Sequence, residues 1–182
     1  MTAAIRQASA HDLPDILALM QEFYAESGYP LNIVRARSAL LPLLAPGQLG
    51  QVWLAELDGQ LAGHLVLTFC YSMEYGGRSA FIDDLFVRPA LRNRGAGRAL
   101  VVRARTLCEE LGIRAMHLEV ARANGPAQAV YRAVGFGGTD RELLTLALAA
   151  PTHAAWAADG ADKRGRARSP LDALLSAPKE EI

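Results

Sequence analysis

This sequence predicts an α/β fold, a mixed central sheet flanked by helices, and three observations carry the prediction. Residues 80–87 form an apolar, β-prone run that Pro89 stops, because proline has no N–H for a sheet ladder. A glycine-rich turn follows. Leu100, Ala104, Leu107, Cys108 and Leu111 then recur at the spacing of one helical face, and Gly112 ends the pattern as a C-terminal cap. Residues 51–57 and 60–71 read as two strands joined by Asp58-Gly59, a favoured pair for the type I′ hairpin turn.

Taken in order, residues 4–8 read as a short first strand. Asp12 is placed to N-cap a helix, and Pro14 suits its first turn. Leu13, Ile16, Leu17, Met20, Phe23 and Tyr24 supply the helical stripe, which Gly28-Tyr29-Pro30 breaks. Residues 35–44 form a second short helix that ends near Pro46-Gly47. The hairpin comes next, then a polar loop over residues 72–78 and the strand over residues 80–87. After the turn and its helix, residues 115–120 read as a strand. Ala127, Val130, Tyr131 and Val134 place one stripe on another helix, and residues 143–148 read as a final strand. The order is β-α-α-β-β-β-α-β-α-β. Residues 1–149 are expected to form one domain. Residues 150–182 change character, with a basic run around Lys163, Arg164, Arg166 and Arg168, and read as a flexible or loosely docked tail.

The 182-residue chain is 51% apolar, ample for one core, and its 19 basic side chains equal its 19 acidic ones. No overall field draws it to nucleic acid or to a membrane, so local charge must carry recognition. Without a long apolar run or a signal-like start, a soluble, cytoplasmic protein is expected. Cys70 and Cys108 lack metal-ligand spacing; both are read as buried structural thiols, with no metal expected.

Chemistry concentrates at the turn Arg92-Asn93-Arg94-Gly95-Ala96-Gly97-Arg98. A helix start leaves backbone N–H groups without intrahelical partners and carries a partial positive charge. Gly95 and Gly97 let an anion approach those groups closely. Three arginines at a positive helix end expect a polyanion, although a solvated basic turn would show the same residues. The turn is not a Walker loop, since no Gly-Lys-Ser/Thr follows, and it lacks the third glycine of the dinucleotide fingerprint.

The R-x-x-G-x-G pattern after a strand ending in Val87 resembles the acyl-CoA pyrophosphate turn of the GNAT superfamily of N-acetyltransferases. A second block, Asn124 to Phe136, reads N-x-x-A-x-x-x-Y-x-x-x-G-F and strengthens the likeness. The resemblance spans roughly residues 3–148. It implies a mostly antiparallel sheet with one splayed strand pair, acetyl-CoA as co-substrate, and transfer to an amine. It implies that residues 92–98 hold the pyrophosphate. Leu85, Phe86 and Val87 would pair with the pantetheine arm, with the Leu85 N–H facing the thioester oxygen. Asn124 and Ala127 would contact the CoA arm, and Tyr131 would protonate the leaving thiolate. On residues alone, Tyr131 could equally be a packing aromatic and Asn124 a helix N-cap.

Asp83 and Asp84 stand just upstream of the cofactor-facing segment. Adjacent strand residues point to opposite faces, so a regular strand aims one at the cleft; a bulge could redirect the other. A carboxylate there recruits a cationic amine and, through water, accepts its proton, or is simply held by backbone N–H groups. The segment Asp83-Asp84-Leu85-Phe86-Val87, preceded by Tyr71, Glu74 and Tyr75, resembles the E-D-L-Y-V pattern of spermidine/spermine-type diamine N-acetyltransferases. An acceptor wall is expected from Glu22, Tyr24, Glu26 and Tyr29 with Glu74, Tyr75 and Asp83. The reading is therefore acetyl transfer to a small, cationic primary amine, by a chain that could form a homodimer. Transfer to a protein or peptide amine, or a non-catalytic acyl-CoA-binding module, are the alternatives. An open acceptor groove without Tyr29, Glu74 and Tyr75 closing over it would mark the peptide case.

Overall fold

The structure, a computed structural model, describes residues 3–47, 49–141, 143–146 and 148. Five strands lie in spatial order β1-β2-β3-β4-β5: β1 Ala4–Gln7, β2 Gly50–Leu57, β3 Gln60–Ser72, β4 Gly77–Val87 and β5 Ala115–Leu118. All neighbouring pairs are antiparallel except β4 and β5, which are parallel. A parallel neighbour needs a crossover, and α3 (Ala96–Glu110) supplies it. The remaining helices are α1 Leu13–Glu26, α2 Ile33–Leu44 and α4 Gly125–Val134.

Alternation along the strands sends side chains to two cores, one on each face of the sheet. Trp53, Leu65, Leu67 and Ile82 pack with Leu100, Val101 and Ala104 of α3 and with Tyr131 and Val134 of α4. Val52, Leu54, Val66 and Phe86 pack with Ile16, Leu19 and Met20 of α1 and with Ala36 and Leu40 of α2. Every large side chain of the stripe on α3 is buried except Leu111, which lies past the helix end at 42% exposure.

Local chemistry explains most boundaries. Asp58 and Gly59 both adopt positive φ (52° and 75°), as a type I′ turn requires. Gly112 takes φ 64° just past α3. α2 begins at Ile33, earlier than the periodicity implies, because the Asn32 side chain accepts a hydrogen bond from the Arg35 N–H (3.1 Å) and caps it. The polar loop shrinks to residues 73–76, since β3 and β4 continue pairing out to Ser72 and Gly77.

Three expectations are corrected. Cys70 is exposed: β2 pairs with β3 only as far as Thr68, so beyond it β3 has lost its neighbour on that side and keeps only β4. Cys108 is buried, and burial pushes its thiol up to about 11. β5 ends at Leu118 rather than Val120, because β4 and β5 diverge there. The described residues of 143–148 form no strand. Leu143, Leu144 and Leu146 are exposed; an apolar run becomes a strand only where a ladder partner exists. Residues 149–182, including the predicted tail and its basic run, lie outside the described residues.

Candidate active site

The divergence of β4 and β5 makes the site. Their pairing runs from Ser79↔Ala115 to Ile82↔Leu118 and stops. Beyond it, residues 83–87 of β4 face a cleft of about 900 Å³, closed on the far side by residues 119–124 and the start of α4.

Backbone direction along this edge follows from one bond. The Arg88 N–H donates to the Ala62 carbonyl at 2.8 Å, so residue 88 points to the β3 side. Backbone groups alternate between the two edges of a strand, so Phe86 also points to β3, while Leu85 and Val87 point to the open edge. The Val87 carbonyl accepts from Arg92 Nε at 2.8 Å, consistent with that direction. The Leu85 N–H therefore faces the cleft.

At one end of the cleft lies the turn. Asn93 (φ 60°) and Gly95 (φ 88°) both occupy the left-handed region, which asparagine tolerates and glycine favours. Such a sequence curls successive N–H groups into a concave nest for anions. Ala99 is the first residue whose N–H is taken by the helix, donating to the Gly95 carbonyl at 2.9 Å. The amides of residues 95–98 thus have no intrahelical acceptor. Arg92, Asn93, Gly95, Ala96, Gly97 and Arg98 all line the cleft. Arg94 does not; its guanidinium pairs with Asp58 in the hairpin turn. Arg92 pairs with Glu26 at the end of α1 (2.5 Å).

At the other end are carboxylates. The register passes from Val66↔Asp84 to Leu67↔Ile82, leaving Asp83 as the extra residue of a β-bulge with no partner on β3. Asp83 and Asp84 consequently both line the cleft, Asp83 exposed and Asp84 buried. Glu119, unremarked in the sequence, lies one residue beyond Leu118 on β5 and so faces Asp83 across the opening. Although Asp83 is exposed by area, protein atoms crowd its carboxyl. Their desolvation, then the charges of Asp84 and Glu119, raise it above the ordinary aspartate value. A carboxylate inside the strand read over residues 115–120 was the available signal for Glu119.

Between the two ends sits Tyr131 on α4, buried and lining the cleft, with its ring edge-on to Phe136 at 5.9 Å. Burial raises its phenol above the ordinary tyrosine value, so it stays protonated at neutral pH. Asn124 and Ala127 line the same wall. The Asn124 side chain accepts from the Ala127 N–H (3.2 Å), so it serves as the N-cap of α4 while bordering the cleft.

The expected acceptor wall is only partly there. Glu26 and Asp83 line the cleft; Glu22, Tyr24, Tyr29, Glu74 and Tyr75 do not. Glu22 is held by Arg88 (2.8 Å) and Glu74 by Arg141 (2.7 Å). Tyr24 packs against the core beside Phe23, and Tyr75 stacks near His117 at 5.5 Å. Among the described residues, no cluster of three or more His, Cys, Asp or Glu could hold a metal ion, and no helix is long and apolar enough to cross a membrane.

Comparison with known proteins agrees with this fold. The chain is 27% identical to the uncharacterized N-acetyltransferase YhfO of Bacillus subtilis (strain 168) over 135 residues, 72% of this chain and 88% of that protein. The integron cassette protein HFX_CASS3, from the mobile metagenome of Cole Harbour Salt Marsh, superposes with a TM-score of 0.74 at 39% identity, covering 81% of this chain and 92% of that one. The aminoglycoside N-acetyltransferase AAC(6')-Iy, solved with CoA, shares the fold with a TM-score of 0.67 at 20% identity, over 81% of this chain and 95% of that one. Residues 13–136 match the Acetyltransferase (GNAT) family, which takes in the split strands, the turn and Tyr131, and the chain belongs to that family of acetyl-CoA-dependent transferases.

Proposed function

We propose that the chain transfers the acetyl group of acetyl-CoA directly to the primary amine of a small, cationic acceptor. One observation carries the acceptor: the cleft is polar in charge, with arginines and unpaired amides at the turn and Asp83, Asp84 and Glu119 at the opposite end. The first end suits a pyrophosphate and the second an ammonium group. Between them, the Leu85 N–H is aimed where an oxyanion would form, and Tyr131 holds a proton for the departing thiolate.

Each residue then has a task. An alkyl ammonium of pKa about 10.4 must lose a proton before its nitrogen can attack the thioester carbon. Asp83 draws the cation in. Its raised carboxyl, with Glu119 beside it, is better matched to accept that proton through water than an ordinary aspartate. As the C–S bond breaks, the Tyr131 hydroxyl donates its proton to sulfur, and the second proton that the attacking nitrogen loses on becoming an amide restores the phenol. A donor at the oxyanion is typically worth about 3–4 kcal/mol.

A second reading has an observation of its own. Tyr29, Glu74 and Tyr75 do not close over the cleft, which leaves its acceptor side open enough for the amine of a peptide. CoA release followed across polyamines, aminoglycosides, amino acids and short peptides separates the two. Turnover of diamines or aminoglycosides at low concentration supports the small-amine reading, and turnover confined to peptides replaces it. No turnover with any amine, despite CoA binding, defeats both. The aminoglycoside activity named for one structural neighbour and the diamine-like segment at Asp83 put those two classes first in the screen.

A further inference from the structure

We propose that Arg92 and Glu26 form a lock that the CoA pyrophosphate opens, and that opening it delivers the Glu26 carboxylate to the incoming amine. The inference rests on the acetyl-transfer reading above and adds an order of events to it.

Arg92 is held at three points: Glu26 Oε2 at 2.5 Å, the Val87 carbonyl at 2.8 Å, and the Phe86 ring 5.8 Å below its guanidinium. It sits just before the turn whose amides await an anion, and both it and Glu26 line the cleft. Glu26 is the last residue of α1, where the helix dipole is negative and a carboxylate is disfavoured without a cation nearby. Arg92 supplies that cation. A pyrophosphate bound at residues 95–98 competes for the same guanidinium with more charge than one carboxylate offers. The displaced Glu26 is then left at a negative helix end, inside the cleft, where a second ammonium of a polycationic acceptor, whose reacting amine lies at Asp83, would replace the lost cation. The neighbouring pair, Arg94 with Asp58, makes an instructive contrast. Asp58 does not line the cleft, so releasing it supplies nothing to an acceptor.

The pair is exposed and worth little by itself, with side chains 40% and 44% accessible, so a phosphate can displace it. Two ligands that share one exchangeable pair must help each other equally, whichever binds first.

Calorimetric titration of the full chain tests both halves. With CoA, Glu26→Gln should bind about two- to fivefold tighter at low salt, because the competing carboxylate is gone, and the gain should fade at high salt. In an Arg92→Gln background the same Glu26→Gln change should have no effect. An unchanged CoA affinity in Glu26→Gln, or an equal gain in both backgrounds, overturns the lock. With 1,4-diaminobutane as the amine probe, the CoA-saturated protein should bind at least about threefold tighter than the free protein, and Glu26→Gln should erase the difference. Equal affinity with and without CoA, or no saturable diamine binding in the presence of CoA, overturns the delivery of Glu26. Failure of the unaltered protein to bind CoA would instead bring down the acetyl-transfer reading itself, and the lock with it.

Discussion

The two ends of the cleft differ in how they are built. The anion end is local: residues 92–98 are contiguous, and their shape comes from two left-handed residues and a helix start. The carboxylate end, which the proposed reading gives to the acceptor, is assembled from β4 and the segment just after β5, which meet only through the fold. In the proposed reading the anion end works through main-chain amides, which need particular φ values and tolerate many side chains. The acceptor end, in the same reading, works through carboxylates, whose effect depends on which neighbours crowd or neutralise them. Binding of the nucleotide should therefore resist most side-chain changes, while acceptor choice should shift with single ones.

The chemistry between the two ends offers the largest effect. Tyr131→Phe keeps the ring against Phe136 and removes only the hydroxyl, so the fold should persist while kcat falls by about a hundredfold or more, with CoA affinity changed little. Steady-state kinetics beside CoA calorimetry checks this, and an unaltered kcat would return Tyr131 to a packing role. Next is the anion end. Gly95→Ala forces a side chain into φ 88°, at a cost of about 1–2 kcal/mol. No atom lies near the added Cβ, so backbone strain alone should weaken CoA binding severalfold, and titration would show it.

The acceptor end should answer to pH instead. A base with a raised carboxyl is active above its own pKa and loses activity as pH falls through it. The acid limb of kcat/KM should therefore lie above the ordinary aspartate value, and Asp83→Asn should abolish or displace that limb. A limb that survives unchanged in Asp83→Asn, but disappears in Glu119→Gln, would pass the role to Glu119.

The smallest effects lie away from both ends. Asp12 accepts from Arg6 (2.7 Å) and from the Ser9 N–H (2.8 Å), and these partners lower its carboxyl to about 2. A depressed carboxyl stabilises the fold above its unfolded value and loses that contribution as pH falls toward its folded one. Melting temperatures between about pH 4 and pH 2 should drop more steeply in the unaltered protein than in Asp12→Asn.

The same contrast accounts for what the sequence revealed. Asp58-Gly59, Gly112 and the residue 92–98 turn were readable because each is a local backbone demand met by a particular residue. The possible bulge beside Asp83 was foreseen from two adjacent carboxylates, and the register bears it out. Glu119 escaped notice because its importance comes from where β5 parts from β4, a relation between strands. Tyr29, Glu74 and Tyr75 were expected in the cleft from the resemblance, yet loop paths carry them elsewhere. Residues 143–148 have the composition of a strand, but composition alone builds no ladder, and the described residues among them form none.

The most direct test of the account is a crystal structure of this chain with CoA. It should show the pyrophosphate hydrogen-bonded to the amides of residues 95–98, the pantetheine arm along Leu85 and Val87, and the sulfur beside the Tyr131 hydroxyl. CoA bound with its pyrophosphate away from that turn, or with its sulfur out of reach of Tyr131, would contradict it.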